Sequence, residues 1–333
     1  MMKRRTLLAA SAAGLAASMS GSLFAADARP FKLFDTHAHF YTNQPDKYPF
    51  NASGARKGAE RTIAKAMARP MTPKVVFQFW DEIGVEMGTG VQYNSTYNTD
   101  NSYLLDIAKA HPDRIIPVVI LSPTDAATPT TLQKMVKENR IAAVRFSGTP
   151  NERGEVAFAS DAASDTWAAA NELGLTIVLM SLGANIPASL TKIANFAERH
   201  PNVKVAMDHI GYPHPELLPA SFGLSPEHLA LAAHKNVHYK FTSLLISEME
   251  DNAKAANKPM VELKPFIEHM VSVFGIDHLM WGSDHGNVEV DDVAYAKRAL
   301  MAASGLTQAQ QQAFFHDNGK ALFVPGGRGR AKA

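Results

Sequence analysis

The stretch "LFDTHAHF" (residues 33–40) is a short apolar run that ends in two histidines one residue apart. In a β-strand, side chains at positions i and i+2 point to the same face, so His37 and His39 would share one small volume. Two converging imidazoles suit a metal ion or a polar pocket that grips a substrate. An H-x-H pair also occurs by chance, so its meaning depends on what the rest of the chain places beside it.

Seven more apolar runs follow this one, and amphipathic stretches separate them. The eight runs are 31–35, 89–94, 114–121, 141–147, 174–180, 202–208, 236–243 and 278–284. Such nearly continuous apolar segments are typical of strands buried on both faces of a parallel sheet. Helix signals lie between them. One is "TPKVVFQFWDEIG", in which we expect Thr72 as the N-cap and Pro73 at the first helical position.

Eight strands in alternation with helices predict an α/β fold, a single-domain (β/α)8 TIM barrel. An open, doubly wound sheet is the alternative. A G-x-G-x-x-G turn after the first strand would favour that alternative, and no such turn follows "FKLFD" (31–35).

The composition describes an ordinary globular protein. The chain has 333 residues, of which 46% are hydrophobic and 20% charged, and its formal net charge is +1. A nearly neutral chain gives no indication of nucleic-acid binding. The absence of cysteine excludes thiol catalysis and cysteine-ligated zinc.

Residues 1–28 have the layout of a twin-arginine signal peptide. Lys3, Arg4 and Arg5 precede a weakly apolar stretch, and small residues follow near Ala25. The apolar part is too short and too rich in Gly and Ser to favour a membrane span. Without these residues, which carry three positive charges and one negative, the net charge falls to −1. We expect a soluble, exported, periplasmic barrel over residues 29–324 and a disordered basic tail over 325–333.

Polar residues are concentrated where the predicted strands end, which in a barrel is where active sites form. Besides His37 and His39, the candidates are Gln92, Arg145, Asp208, His209, Lys240, Asp284 and His285. Nearly every strand therefore brings a group that can bind a metal, hold an anion or move a proton. This distribution favours the functional interpretation of the histidine pair.

Four of these stretches, "DTHAHF" (35–40), "VKVAMDHIGYP" (203–213), "NVHYKFTS" (236–243) and "LMWGSDHG" (279–286), resemble markers of a known family. They are similar to those of the amidohydrolase-related branch of the amidohydrolase superfamily, which contains 2-pyrone-4,6-dicarboxylate lactonase and related lactonases. The resemblance covers residues 31–323. Decarboxylases share the same markers, so the motifs are less specific to one reaction than to the superfamily.

The resemblance implies roles for individual residues. Asp284 would be the general base that takes a proton from the attacking water, and His37, His39 and His209 would be the accompanying histidines. Arg145 and Lys240 would suit substrate carboxylates, and we expect Gln92 and His285 to bind substrate as well. His285 departs from the tryptophan that many relatives have at this position. The fourth strand lacks a lysine, so a carboxylated-lysine bridge between two metals is not expected.

Two mechanisms stay open at this point. His37, His39, His209 and Asp284 could hold one divalent metal, most simply zinc, which lowers the pKa of a bound water. In the metal-independent alternative, the histidines polarise the carbonyl directly and Asp284 activates the water.

Other interpretations compete for single residues. Asp208 is better explained as a strand-end residue that orients loop backbone or a neighbouring histidine. Arg145 is either a salt-bridge partner or a carboxylate clamp, Lys240 either a core-edge lysine or a substrate contact, and His228 is expected on the surface.

We therefore predict a hydrolase that opens a small lactone, with or without a carboxylate. The alternatives are a nonoxidative decarboxylase and a non-catalytic exported binding protein. Residues 41–71 are expected to cover the barrel mouth and to help select the substrate. We expect a small-molecule substrate and no partner among nucleic acids or membranes, and a homodimer is compatible with the sequence.

Overall fold

The computed structural model describes residues 29–183 and 185–325. It contains an eight-stranded, all-parallel sheet in which the strands follow one another in sequence order. The strands are Leu33–His39 (β1), Val85–Val91 (β2), Ile115–Ile120 (β3), Ala143–Gly148 (β4), Thr176–Ser181 (β5), Lys204–Met207 (β6), Val237–Thr242 (β7) and Leu279–Gly282 (β8).

The sheet is a nearly closed barrel, because β8 returns to β1. At this seam the Thr36 hydroxyl donates to the carbonyl of Trp281 at 2.7 Å, and the His39 amide donates to the carbonyl of His285 at 2.9 Å. The prediction of a single (β/α)8 barrel is confirmed. The open doubly wound sheet is excluded, since its strand order reverses and its first and last strands never meet.

Helices lie between consecutive strands, and three more helices follow β8. The helices are Ala59–Ala68 (α1), Pro73–Ile83 (α2), Asn94–Tyr97 (α3), Ser102–Ala110 (α4), Thr128–Asn139 (α5), Ser164–Leu173 (α6), Ile186–Arg199 (α7), Pro226–Leu231 (α8), Ser243–Ala255 (α9), Leu263–Phe274 (α10), Asp292–Ala302 (α11), Gln308–Gln312 (α12) and Asn318–Phe323 (α13). Among the described residues, none of these helices is both long and apolar enough to cross a membrane.

Helix α2 shows how local sequence sets an element. Thr72 is its N-cap and Pro73 its first residue, as predicted, and Gly84 ends it in a left-handed conformation at φ 78°. Trp80 and Ile83 are buried on the face that meets the sheet. Trp80 also donates its indole N–H to the Oδ2 atom of Asp35 at 2.9 Å, which ties the helix to β1.

Strand β2 begins four residues earlier than the predicted run of 89–94. Glu86 and two glycines interrupt its apolar pattern, so the pattern of apolar residues did not show where the strand begins. A Cβ atom at Gly88 would lie 2.6 Å from the carbonyl oxygen of Asp35 and 2.8 Å from the ring of Trp80. The close approach of β1 and α2 therefore requires glycine at this position.

Apolar side chains form two separate layers. The larger one lies between the strands and the helices. The smaller one fills the lower, N-terminal half of the barrel interior with Phe34, Val91, Ile116, Val118, Ala143, Val178, Ala206, Met280 and Phe323. Helix α13 supplies Phe323 to this interior layer, and the Thr176 hydroxyl at the start of β5 donates to the adjoining Leu322 carbonyl at 3.2 Å. This end of the barrel is thus closed by packed side chains.

Residues 41–71 lie over the opposite end, as predicted. The Nζ atom of Lys65 donates to the carbonyls of Gly286 (2.9 Å) and Asn287 (3.0 Å), and the Tyr41 hydroxyl donates to Gly286 at 2.9 Å. The segment is thereby fixed to the loop that follows β8. The predicted signal peptide at 1–28 and all of the predicted tail beyond Pro325 lie outside the described residues.

Candidate active site

An irregularity in β1 aims the histidine pair into the barrel. Asp35 pairs with Gly88 and Ala38 pairs with Gly90, so β1 uses one more residue than β2 over this interval. An extra residue of this kind switches the faces to which later side chains point. Phe34 therefore points inward, Ala38 lies in the outer apolar layer, and His37 and His39 point inward at the upper, C-terminal end.

Asp35 faces outward and fixes β1 to β8. Its carboxylate accepts the indole N–H of Trp80, the backbone N–H of Ser283 at 2.8 Å and the backbone N–H of His37 at 2.9 Å. A fully buried carboxylate with this many donors is held rigidly. The position of His37 relative to the β8 end consequently depends on Asp35.

Asp284 enters the site from the turn that follows β8. Its φ of 53° lies in the left-handed region, which is strained for a residue other than glycine. The Asp284 amide donates to the carbonyl of His37 at 2.6 Å, which holds this turn in place. The strained turn brings the carboxylate inward, between His37 and His39.

His209 is presented by a second strained turn, after β6. His209, Ile210 and Tyr212 all have φ between 55° and 57°. The Nδ1 atom of His209 lies 2.6 Å from the Thr242 hydroxyl, and His228 holds the turn through a 3.0 Å contact between its Nε2 atom and the Gly211 carbonyl. His228 is buried, so its expected surface position is wrong. Its side chain caps α8 and supports the β6 turn.

Three ligand atoms converge at the centre of the site. His37 Nε2 lies 3.3 Å from His39 Nε2 and 3.5 Å from Asp284 Oδ1, and His39 Nε2 lies 3.2 Å from the same oxygen. The second nitrogen of His39 lies 2.9 Å from the Val91 carbonyl. A carbonyl only accepts hydrogen bonds, so Nδ1 carries the proton and Nε2 is left with a free lone pair.

These residues fit a divalent cation. In the part of the chain that the structure describes, Asp284 Oδ1 is buried and receives no hydrogen bond of good geometry. His37, His39 and Asp284 are a group of metal-ligand type, with ligand atoms within 4.8 Å of one another. His209 lies beside this group, with its ring centroid 5.4 Å from that of His37, and its role as a fourth ligand stays a prediction.

Burial sets the protonation states of the site. It lowers the pKa of His39 to about 4, against the neighbouring Asp284 carboxylate, which acts in the opposite direction. It lowers the pKa of His209 to about 3. Burial alone would raise the pKa of Asp284, but His37, His39 and His209 hold it below its usual value. At neutral pH His39 and His209 are therefore neutral imidazoles and Asp284 is a carboxylate.

Asp208 lies behind His37, in agreement with the orienting role expected for it. Its Oδ1 atom is 3.2 Å from His37 Nδ1 and 3.2 Å from Lys240 Nζ, and its Oδ2 atom accepts the Nε–H of Arg145 at 2.8 Å. Burial would raise the pKa of Asp208, but Lys240, His37 and Arg145 hold it well below its usual value. Asp208 is thus an ionised carboxylate with two cations.

Arg145 and Lys240 were predicted to contact substrate carboxylates. In the structure both contact Asp208, but only Arg145 also lines the pocket beside His39. Lys240 is 0% exposed, and its Nζ atom lies 5.1 Å from the centroid of the Phe323 ring, inside the barrel. The inward direction of β7 at this position places the amine below Asp208, so the expected substrate contact of Lys240 is corrected to a contact with Asp208.

Gln92 and His285 also have other partners than a substrate. The Gln92 amide donates to the carbonyls of Asn98 and Asp100 and so holds the loop before α4. His285 follows Asp284 and therefore points outward, where its ring stacks on Phe79 at 4.4 Å and its Nδ1 atom lies 2.9 Å from Asp292 Oδ2. These are the partners of Gln92 and His285 in the structure, and their binding of substrate stays a prediction.

A small polar pocket adjoins His39, and it contains residues that the sequence did not single out. Its lining includes Arg56, Tyr93, Ser147 and Asn287 together with His39. The Asn287 amide donates to Asp284 Oδ2 at 3.1 Å, and the Tyr93 ring lies 4.8 Å from that of His39. Ser147 lies near the end of β4, and Tyr93 and Asn287 lie in the loops after β2 and β8, so only their nearness to strand ends could have marked these three.

A nearly closed barrel with histidines and an aspartate at its C-terminal end is the arrangement of a TIM-barrel enzyme. The sequence model of the family described as amidohydrolase matches residues 34–324, and the chain belongs to this family. The L-fucono-1,5-lactonase of Burkholderia ambifaria is 28% identical over 232 residues, which are 66% of this chain and 71% of that protein.

Solved structures share the fold. A putative 2-pyrone-4,6-dicarboxylic acid hydrolase from Pseudomonas putida superposes with a TM-score of 0.66 at 21% identity, over 88% of this chain and 97% of its own. A zinc-bound amidohydrolase from Burkholderia multivorans gives 0.67 at 17% identity, over 87% and 98%. A 2,6-dihydroxybenzoate decarboxylase gives 0.60 at 12% identity, over 88% and 99%. The fold is therefore common to hydrolases and decarboxylases.

Proposed function

We propose that this amidohydrolase-family enzyme opens a small, polar lactone by attack of water on the ring carbonyl. The observation that carries the proposal is the convergence of the Nε2 atoms of His37 and His39 on the buried Oδ1 atom of Asp284. The similarity to an L-fucono-1,5-lactonase supports a lactone as substrate.

Asp284 acts as the general base in this proposal. Its carboxylate stays ionised at neutral pH and takes one proton from the attacking water. The water oxygen bonds to the carbonyl carbon, the ring C–O bond breaks, and Asp284 passes its proton to the departing alkoxide oxygen. The new carboxylic acid releases the second water proton to solvent. The products are the carboxylate and the hydroxyl of one open-chain hydroxy acid.

The tautomer of His39 favours the metal-dependent alternative. A neutral imidazole whose Nε2 atom is bare cannot donate a hydrogen bond to a carbonyl oxygen, so it is poorly suited to polarise the substrate directly. His37, His39 and Asp284 would hold one divalent cation, zinc in our proposal, which would polarise the carbonyl and lower the pKa of water.

The pocket beside His39 supports a polar substrate. Arg56, Ser147 and Asn287 offer hydrogen-bond donors, and the ring of Tyr93 offers an apolar face. This mixture suits the hydroxyl groups of a sugar lactone or a carboxylate on the ring.

The reaction is tested on the purified mature chain with a panel of sugar 1,5-lactones and pyrone lactones, by acid release. Carbon dioxide release from aromatic acids is measured in parallel. We expect acid release that is lost in Asp284→Asn and kept in Asp292→Asn, since Asp292 contacts the outward-facing His285. Carbon dioxide release without lactone opening would replace the proposal with a decarboxylase.

The metal is tested separately, by mass spectrometry on protein purified without chelators. We expect about one divalent ion per chain in the wild type, a loss in His39→Ala, and full occupancy in the control His285→Ala. A fully active wild type without metal would favour direct action of the histidines.

We also propose that residues 1–28 direct export by the twin-arginine route, with a soluble periplasmic product. The paired arginines support this proposal. Replacement of Arg4 and Arg5 by lysine should retain the protein in the cytoplasm, as fractionation would show.

Homodimerisation is proposed on the family resemblance, and light scattering that gives a monomer mass would refute it.

A further inference from the structure

Lys240 is a charged residue in the part of the barrel that is otherwise packed with apolar side chains. Its side chain is 0% exposed, and it pairs in register with Met280, a member of the interior apolar layer. Phe323, from the same layer, lies below its amine. Replacing buried charge pairs with apolar side chains is often neutral or stabilising, so fold stability alone does not explain a lysine here.

The contact above Lys240 gives a better explanation. Its Nζ atom lies 3.2 Å from Asp208 Oδ1, and this oxygen is also the one 3.2 Å from His37 Nδ1. Arg145 holds the other carboxylate oxygen. Each oxygen of Asp208 therefore has its own cation, and the carboxylate cannot rotate away from His37 without losing both.

His37 needs this carboxylate because its two nitrogens must differ. Nε2 faces His39 and Asp284 and must be bare for His37 to act as a ligand, so the proton must lie on Nδ1. A carboxylate oxygen within reach of Nδ1 selects that tautomer. Asp208 Oδ1 is the carboxylate oxygen in this position, 3.2 Å from Nδ1.

We propose that Lys240 is a positioning residue that acts from inside the barrel, through Asp208, on the tautomer and orientation of His37. The chain of contacts is Lys240 to Asp208 to His37 and ends at the centre of the site. Lys240 itself touches neither the substrate pocket nor the three convergent ligand atoms.

The first test is the tautomer of His37 in Lys240→Met, an unbranched, neutral replacement of similar volume. Long-range 15N NMR of 15N-histidine-labelled, metal-free protein at fixed pH reports which nitrogen carries the proton, and His37→Gln assigns the signal. We expect the Nδ1–H form in the wild type and a mixture of tautomers in Lys240→Met. Met280→Leu, a control in the same interior layer without a contact to Asp208, should keep the wild-type signal.

The second test asks whether Lys240 acts through Asp208. We expect Lys240→Met to lower kcat by about tenfold to a hundredfold with little change in KM, as outer partners of ligating histidines do. The double variant Lys240→Met/Asp208→Asn should be no slower than Asp208→Asn alone. The kinetic arm rests on the proposed function, whereas the NMR arm needs no substrate and stands if the lactone assignment fails.

Two results would overturn the proposal. One is a wild-type His37 signal in Lys240→Met. The other is a double variant whose loss is the product of the single losses, because Lys240 would then act by another route. If Lys240→Met does not fold, Asp208→Asn carries the NMR test, and an unchanged His37 tautomer there refutes the chain of contacts.

Discussion

The upper and lower halves of the barrel interior are built from the same strands, yet they differ in the polarity of their side chains and in backbone strain. The lower half is a packed, mainly apolar layer that ends at Phe323. The upper half holds buried histidines, two carboxylates and Arg145, some on strained turns. Phe34 and His37 stand three residues apart on β1 and belong to different halves. The comparison teaches that packing in one half carries stability, while the other half carries chemistry at a cost in stability.

The largest effect that separates the halves is expected at Asp284. Asp284→Asn should lower kcat/KM by about a thousandfold, since it removes the general base. Its free energy of unfolding should fall by much less than that of Phe34→Ala, because the cost of burying the Asp284 charge partly offsets the histidine contacts that hold its pKa low. Enzyme kinetics and urea unfolding of the same preparation check both parts. A loss of stability as large as that of Phe34→Ala would contradict the division between the halves.

The reverse pattern is expected at Phe34. Phe34→Ala should lower the free energy of unfolding by about 4 kcal/mol, because it opens a cavity in the lower half. The folded fraction should keep its kcat, because the histidines lie in the upper half of the barrel interior, beyond the extra residue in β1. Denaturant unfolding and active-site-normalised kinetics measure the two quantities. Inactivation at full stability would show that the halves are coupled.

A third difference should appear in the pH dependence of stability of the metal-free protein. The pKa of His39 falls to about 4 on folding, from about 6.5 in the unfolded chain, so the unfolded state binds more protons between these values. Stability should therefore rise with pH through this window and be lost as the pH falls from 6.5 to 4. His39 alone accounts for about 3 kcal/mol of this change.

The matched variant for the pH prediction is His39→Gln, which cannot titrate. Its stability should vary less with pH between 4 and 6.5 than that of the wild type. Chemical unfolding at several pH values gives the comparison, and parallel curves for the two proteins would contradict the protonation states inferred for the upper half.

The smallest effect concerns the seam between β1 and β8. Trp80→Phe removes the N–H donor to the Asp35 carboxylate and should cost about 2 kcal/mol, as hydrogen bonds to charged groups do. Trp167→Phe is the control, because the indole of Trp167 donates to the neutral carbonyl of Phe158 and should cost about 1 kcal/mol. Thermal unfolding compares the two, and equal losses would contradict a special role of Asp35.

Sequence reasoning was most successful where a property repeats along the chain. Eight apolar runs identified eight strands, and Thr72 and Pro73 marked the start of α2. It was least successful where two side chains meet across the fold. Nothing beside Lys240 in the chain indicates that its amine lies under Asp208, and nothing beside His285 indicates that its ring stacks on Phe79.

The sequence by itself determined the barrel, the strand ends at which polar groups collect, and the family to which these groups point. Hydrophobic periodicity and strand-end position are local properties, so they can be read along one dimension. Only the tertiary structure decided which groups converge. A single extra residue in β1 turns His37 and His39 inward, and two left-handed turns present His209 and Asp284. These directions depend on pairing and backbone strain between distant strands, which no pattern along the chain contains.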